Sequence, residues 1–453
     1  MLYHLYDLSH AALTPLRFGA DMTKTLINTP GSPLAHTAFG RSLAAGAEVF
    51  ERATRRFGKP IFGLDKTSID GKKVSVEERI ILEKPFCNLL NFRRKVKRDD
   101  PKVLIVSPMS GHFATLLRGT VEALIPHHDV YITDWIDARQ VPYNEGKFDL
   151  DDYIAYVIEF LQLLGPDTHV VAVCQPAPAV LAAISLMAGW DDPNQPLTMT
   201  LMGGPIDTRI SKTEVTKLAE DRPLEWFKES VVTEVPFYYP GAFRRVYPGF
   251  LQLSGFMSMN LDRHVGSSMK FFEHLIVGDG ESAQKHRTFY NEYLAVMDIT
   301  AEFYLQTVKV VFQDHLLPDG KMKWKDPKTD QIHDVDTTKI KHTALLTIEG
   351  ELDDISAMGQ TFAAHDITPN LPEKKHHCWM QKDVGHYGIF NGSKWRAQIM
   401  PRLRHFMRQY DKGRTPVPSN DLKKTGNLKA DSWCQDDFCL TELKKRYNIP
   451  VQE

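Results

Sequence analysis

The stretch from Val170 to Trp190 constrains the fold most, because it carries no charged residue over a length that could span a bilayer. It opens with Val170-Val171-Ala172-Val173 and then meets Gln175, Pro176 and Pro178. Two prolines so close together interrupt a continuous helix. The segment therefore reads as a buried strand (170–173), a sharp turn and a buried helix (178–189), and no membrane span is expected.

The same alternation extends on both sides. Strands are predicted at 103–106, 130–133 and 197–202, with helices at about 115–124 and 149–164. The second of these helices places Ile154, Val157, Ile158 and Leu161 on one face, and Gly165-Pro166 stops it. Strands alternating with helices of this length imply βαβ units, hence an α/β fold with a mostly parallel central sheet. Sheet texture resumes at 344–348 and near 377–380, and a helix at about 394–410 closes the core. The expected organisation is a helical N-terminal region (1–100), a core in two pieces (101–205 and 336–410), and a cap insertion rich in Phe, Tyr and Met (206–335). A linker and tail (411–453) follow.

Composition narrows the function classes. Of 453 residues, 42% are hydrophobic and 25% charged, which excludes global disorder. Lys and Arg number 55 against 57 Asp and Glu, so no basic excess exists to grasp phosphates, and no nucleic-acid partner is expected. The basic run Arg93, Arg94, Lys95, Lys97 and Arg98 reads as a solvated lead-in to a strand. Five cysteines are odd in number and too sparse for a disulfide framework, with Cys434 and Cys439 expected as free thiols in the tail. The first 20 residues lack a basic head and a long apolar core, which points to the cytoplasm. His376-His377-Cys378 does not suit a metal, since neighbours on a strand face opposite ways. No glycine-rich nucleotide motif follows a strand, so no cofactor and no metal are expected.

Three turns carry chemistry. Cys174 stands where strand meets helix, the position of a nucleophile elbow, facing free N–H groups at a helix N-terminus. Ala172 and Pro176 occupy the flanking positions where Gly-x-Ser-x-Gly has glycine, and Cys replaces Ser. Glu349-Gly-Glu-Leu-Asp353-Asp354-Ile355 sets acids after a strand, and Asp383-Val-Gly-His386-Tyr-Gly388 sets a histidine in a glycine-flanked loop. Nucleophile, acid, histidine is the chain order of α/β-hydrolases. Taken singly, each also fits a plain structural role: Cys174 as a small buried hydrophobe, His386 as a loop histidine satisfied by backbone.

Together with Ser107-Pro-Met-Ser-Gly-His-Phe-Ala-Thr-Leu-Leu-Arg118, Val173-Cys-Gln-Pro176 and the opening Met1-Leu-Tyr-His-Leu5, these motifs resemble the intracellular poly(3-hydroxybutyrate) depolymerases. The resemblance runs from residue 1 to about 410. It implies an α/β-hydrolase fold, a Cys nucleophile, and action on amorphous polyester at the surface of storage granules in the cytoplasm. On that resemblance, Cys174 is the nucleophile, His386 its base, and Asp353 the orienting acid, with Asp354 the competing choice. The Gln175 backbone N–H would form one side of the oxyanion hole and the loop near Met109 and Ser110 the other. His112 and Tyr239 are candidate substrate contacts. Whether water or CoA takes the acyl group is left open, as is homo-oligomerisation. The alternatives are a polyhydroxyalkanoate synthase, which normally keeps Gly-x-Cys-x-Gly, and a catalytically silent granule-surface protein.

Overall fold

A computed structural model describes residues 2–259 and 261–411; the expected tail and its Cys434 and Cys439 lie outside the described residues. Nine strands form the main sheet: β1 (Lys66–Ile69), β2 (Lys72–Lys84), β3 (Cys87–Arg94), β4 (Lys102–Val106), β5 (Asp129–Trp135), β6 (Thr168–Val173), β7 (Thr198–Met202), β8 (Ala344–Gly350) and β9 (His376–Gln381). Their order is β1-β2-β3-β5-β4-β6-β7-β8-β9. From β5 to β9 every pairing is parallel, while β1, β2 and β3 add an antiparallel edge. The fold is mixed α/β with a large, mostly parallel sheet, as the alternation of elements requires.

Apolar side chains fill both faces. Every residue of β6 is buried, because a central parallel strand is covered on both sides. The helices Leu150–Leu164 and Ala177–Gly189 pack on one face. On the other lie Arg118–Leu124 and the C-terminal helix Met400–Gln409. Among the described residues, no helix is long and apolar enough to cross a membrane. The charge-free stretch is split as the prolines dictate, with Pro176 capping a helix that starts at Ala177.

The expected helical N-terminal region, 1–100, needs correction. It is helical in α1 (Leu2–Asn28) and α2 (Ala38–Thr54), but residues 66–94 pair as β1, β2 and β3. The β2–β3 hairpin turns at Pro85-Phe86 and buries Cys87, Leu89, Leu90 and Phe92 against the core. Lysines and glutamates on the exposed face of β2 break up its apolar signal, and a register shift between Ile80 and Leu82 disturbs the alternation. Helices α1 and α2 pack against the segment between β7 and β8 through Tyr6 stacked on Phe250 at 4.2 Å and Arg287 paired with Glu48 at 2.6 Å. Cys87 and Cys174 are free.

The basic run is not simply solvated. Arg94 is buried and donates to Asp100 at 2.6 Å, and Arg98 and Arg408 join the same carboxylate at 2.8 and 3.2 Å. Burial pushes the Asp100 carboxyl up, but hydrogen bonds from Arg98 and Arg94 outweigh it and hold the group below its ordinary value. Removing one partner of a buried pair strands the other charge. Asp100→Ala is therefore expected to cost about 3–5 kcal/mol in urea unfolding at neutral pH. The exposed Glu281–Lys285 pair, broken the same way, should leave the urea midpoint nearly unchanged, because solvent screens it.

Candidate active site

Three turns at the carboxyl ends of β6, β8 and β9 converge. Between β6 and the helix Ala177–Gly189, Cys174 adopts φ +67°, a left-handed conformation that L residues enter only under constraint. Its N–H donates to the Met202 carbonyl at 2.7 Å, and its own carbonyl accepts from the Ala177 N–H at 3.1 Å. The elbow is thus tied to the end of β7. There the chain has Gly203-Gly204, and neither position has room for a side chain. A Cβ on Gly204 would stand 2.2 Å from the Ala177 Cβ and 2.8 Å from the Cys174 carbonyl oxygen. On Gly203 (φ +56°) it would stand 2.6 Å from the Ile389 Cδ1. Two glycines directly after the predicted strand 197–202 were the sequence signal for this close approach.

After β8, Asp353 is buried and fully engaged. Its Oδ1 accepts from the Ile355 and Ser356 N–H groups, both at 2.9 Å, and its Oδ2 accepts from His386 Nδ1 at 2.7 Å. Asp354 is exposed. His386 is buried in the short turn after β9, with the Cys174 thiol within hydrogen-bonding reach of its ring. Burial favours the neutral ring. The Asp353 charge, the Cys174 sulfur and hydrogen bonds to both outweigh it and raise His386 well above the ordinary histidine range. The structure therefore brings Cys174, His386 and Asp353 together and leaves Asp354 outside.

A second acid supports the acid turn. Glu349, at the end of β8, is buried and accepts from the N–H groups of Gly359, Thr361 and Phe362 at 2.8–3.0 Å. Burial pushes its carboxyl up to about 7 against those hydrogen bonds. The loop it gathers reaches the elbow, since the Thr361 hydroxyl accepts from the Gly204 N–H at 2.8 Å and donates to the Gly204 carbonyl at 3.0 Å. In the sequence Glu349 is one acid among several; only the fold reveals its role.

A cavity of about 480 Å³ opens from Cys174, Gln175 and His386 into the segment between β7 and β8, walled by Phe256, Phe303 and Phe312. Met109, Ser110 and His112 line it too. The buried Met109 donates its N–H to Gln175 Oε1 at 3.1 Å. His112 is buried, bonds the Tyr293 carbonyl through Nε2 at 3.0 Å, and is pushed down to about 4 by burial. Tyr239 does not line the cavity. It packs against Tyr3 of α1 and under Arg139, with which it makes a cation–π contact at 5.1 Å. The expected substrate contact thus sits in a seam between α1 and the chain beyond β7, away from the cavity. His376 and His377 turn to different partners, His365 and Tyr410.

Residues 203–411 match the family described as PHB de-polymerase C-terminus. That span is a little under half of the chain, and over it the sequence is similar to that family. The sheet order and the sequence of turns are those of the α/β-hydrolase fold. Solved structures similar to this chain include a putative lipase from Acinetobacter baumannii (13% identity, 74% of this chain and 93% of that one, TM-score 0.39). Another is the 2-hydroxy-6-oxo-6-phenylhexa-2,4-dienoate hydrolase of a Rhodococcus strain (11%, 74% and 99%, 0.40). A hydrolase from Pseudomonas aeruginosa is a third (11%, 74% and 98%, 0.42). No curated protein matches the sequence significantly.

The depressed His112 has a consequence for stability. A folded-state value near 4 against 6.5 means that the unfolded chain binds the proton first as pH falls. The contribution is complete above pH 6.5 and drains away toward pH 4, by up to about 1.4 kcal/mol per pH unit. In urea unfolding between pH 7 and pH 5, His112→Asn should lose stability less steeply than the native protein; equal slopes would contradict the assignment.

Proposed function

We propose that this protein is a depolymerase that cleaves amorphous poly(3-hydroxybutyrate) through a Cys174–His386–Asp353 triad and an acyl-enzyme intermediate. The observation that carries the reading is the 2.7 Å contact between His386 Nδ1 and Asp353 Oδ2, with the strained Cys174 across the same ring. His386 takes the thiol proton as sulfur attacks the ester carbonyl, and the charge on Asp353 stabilises the imidazolium so formed. The oxyanion faces backbone N–H groups of Gln175 and of the Met109–Ser110 loop. Collapse expels the alcohol end of the polymer, which leaves with the proton from His386. Water, deprotonated by His386, then attacks the thioester, releases the 3-hydroxybutyrate acid and returns the thiol. CoA in place of water would give an acyl-CoA by the same route.

An insoluble, uncharged substrate asks for an uncharged docking face, and α1 supports that reading. Leu5, Leu8, Leu16, Phe18, Met22 and Leu26 are all exposed. At 100° per residue they share an arc of about 160°. The charges of α1 lie off this arc: Asp7 pairs with Arg56, Asp21 with Lys24 at 2.8 Å, and Arg17 is buried. This face would hold the enzyme on granules in the cytoplasm.

Two experiments test the reading. Amorphous, protein-free polymer granules should release soluble 3-hydroxybutyrate or its oligomers with the native protein, and Cys174→Ala should lower the rate by at least about 1,000-fold. Undiminished release from Cys174→Ala would refute the triad; release only with CoA would make the reaction thiolysis. Chain growth from 3-hydroxybutyryl-CoA would favour the synthase. Co-sedimentation with granules should survive high salt, because apolar contacts are not screened. The double variant Leu8→Asp/Phe18→Asp should lose that sedimentation while keeping turnover of a soluble short ester; sedimentation unchanged would remove α1 from the docking face.

A further inference from the structure

The elbow residue after Cys174 does two things at once. Its backbone N–H is the expected first donor of the oxyanion site, and its side chain reaches across to the second, where Gln175 Oε1 accepts from the Met109 N–H at 3.1 Å. An N–H group has one hydrogen aimed in one direction, so an acceptor bonded to it stands where another acceptor would have to stand. Gln175 is half-buried and lines the same cavity as Cys174, His386 and Met109. Its carboxamide oxygen is an sp² carbonyl oxygen, the same kind of acceptor as the carbonyl of an ester.

We propose that the Gln175 side chain is an internal stopper of the oxyanion site: in the free enzyme its carboxamide oxygen holds the place of the substrate's carbonyl oxygen, and an ester must displace it to react. The inference rests on the triad reading above. Met109 is buried, so its N–H would carry a desolvation penalty if nothing accepted from it. The stopper satisfies that donor between turnovers, and binding trades one neutral acceptor for another. The exchange changes again when the ester becomes a tetrahedral oxyanion. A hydrogen bond to a charged oxygen is roughly twice as strong as one to a neutral amide. Because the stopper is displaced before the ester carbonyl enters, its cost is common to the bound ester and the transition state, so it raises KM and leaves kcat unchanged.

The test uses the full-length protein and a soluble short-chain 3-hydroxybutyrate ester, with Cys174→Ala as the control. Gln175→Ala and the similarly sized Gln175→Met both keep the backbone donors and remove the competing oxygen. Both should lower KM by about 2–12-fold, the worth of one neutral hydrogen bond, with kcat within about twofold of native. Gln175→Glu puts a carboxylate on the same N–H and should cut kcat/KM by at least about 100-fold at neutral pH. An unchanged or raised KM with a fallen kcat in Ala and Met would show that the side chain only braces the Met109 loop, and would overturn the proposal. Full turnover by Cys174→Ala would instead bring down the triad reading itself, and the two failures are told apart by which variant misbehaves.

Discussion

The left-handed backbone at Cys174 is the constraint on which the rest of the site depends. A strand entering a helix over so few residues cannot relax its turn, and the 2.7 Å hydrogen bond from Cys174 N–H to Met202 fixes the turn to the neighbouring strand. That attachment works only because Gly203 and Gly204 leave no side chain in the gap. Thr361 clasps Gly204 from the other side, and Glu349 gathers the loop that carries Thr361. One chain of contacts therefore runs from the end of β8 to the elbow. The buried acid Glu349 serves in it as an anchor, while Asp353 faces the histidine.

Charge and apolar surface divide the work. At the inner end of the cavity, buried Asp353 raises His386 and readies it to hold a proton. Away from that end the walls are largely aromatic and aliphatic, and His112 is kept neutral by burial and tied to the Tyr293 carbonyl. A cavity of this kind favours an uncharged chain of esters over a charged metabolite, in keeping with the proposed polyester substrate. The uncharged face of α1 continues the same preference to the outside of the molecule.

Much of the core was legible because buried parallel strands leave dense apolar runs; 170–173 and 344–348 are such runs, and both strands are flanked on either side within the sheet. The converging turns were legible because the fold places them after strands in a fixed order, and the choice of Asp353 over Asp354 came from the resemblance. The edge hairpin was not, since β2 faces solvent on one side and its glutamates and lysines conceal the alternation. Tyr239 was misplaced because local composition says nothing of which distant helix will cover a loop. Gly203, Gly204 and Glu349 escaped notice for a related reason: their roles exist only between strands, where a missing Cβ or a buried acceptor meets a partner far away in sequence.

The central claim is that sulfur of Cys174 carries the acyl group during turnover. Acid-quenching the protein during steady-state cleavage of a soluble 3-hydroxybutyrate ester, followed by mass analysis of its peptides, tests that claim most directly. A 3-hydroxybutyryl adduct confined to the peptide bearing Cys174, absent from Cys174→Ala, is the predicted result. Product accumulating with that peptide unmodified, or an adduct on another residue, would contradict it.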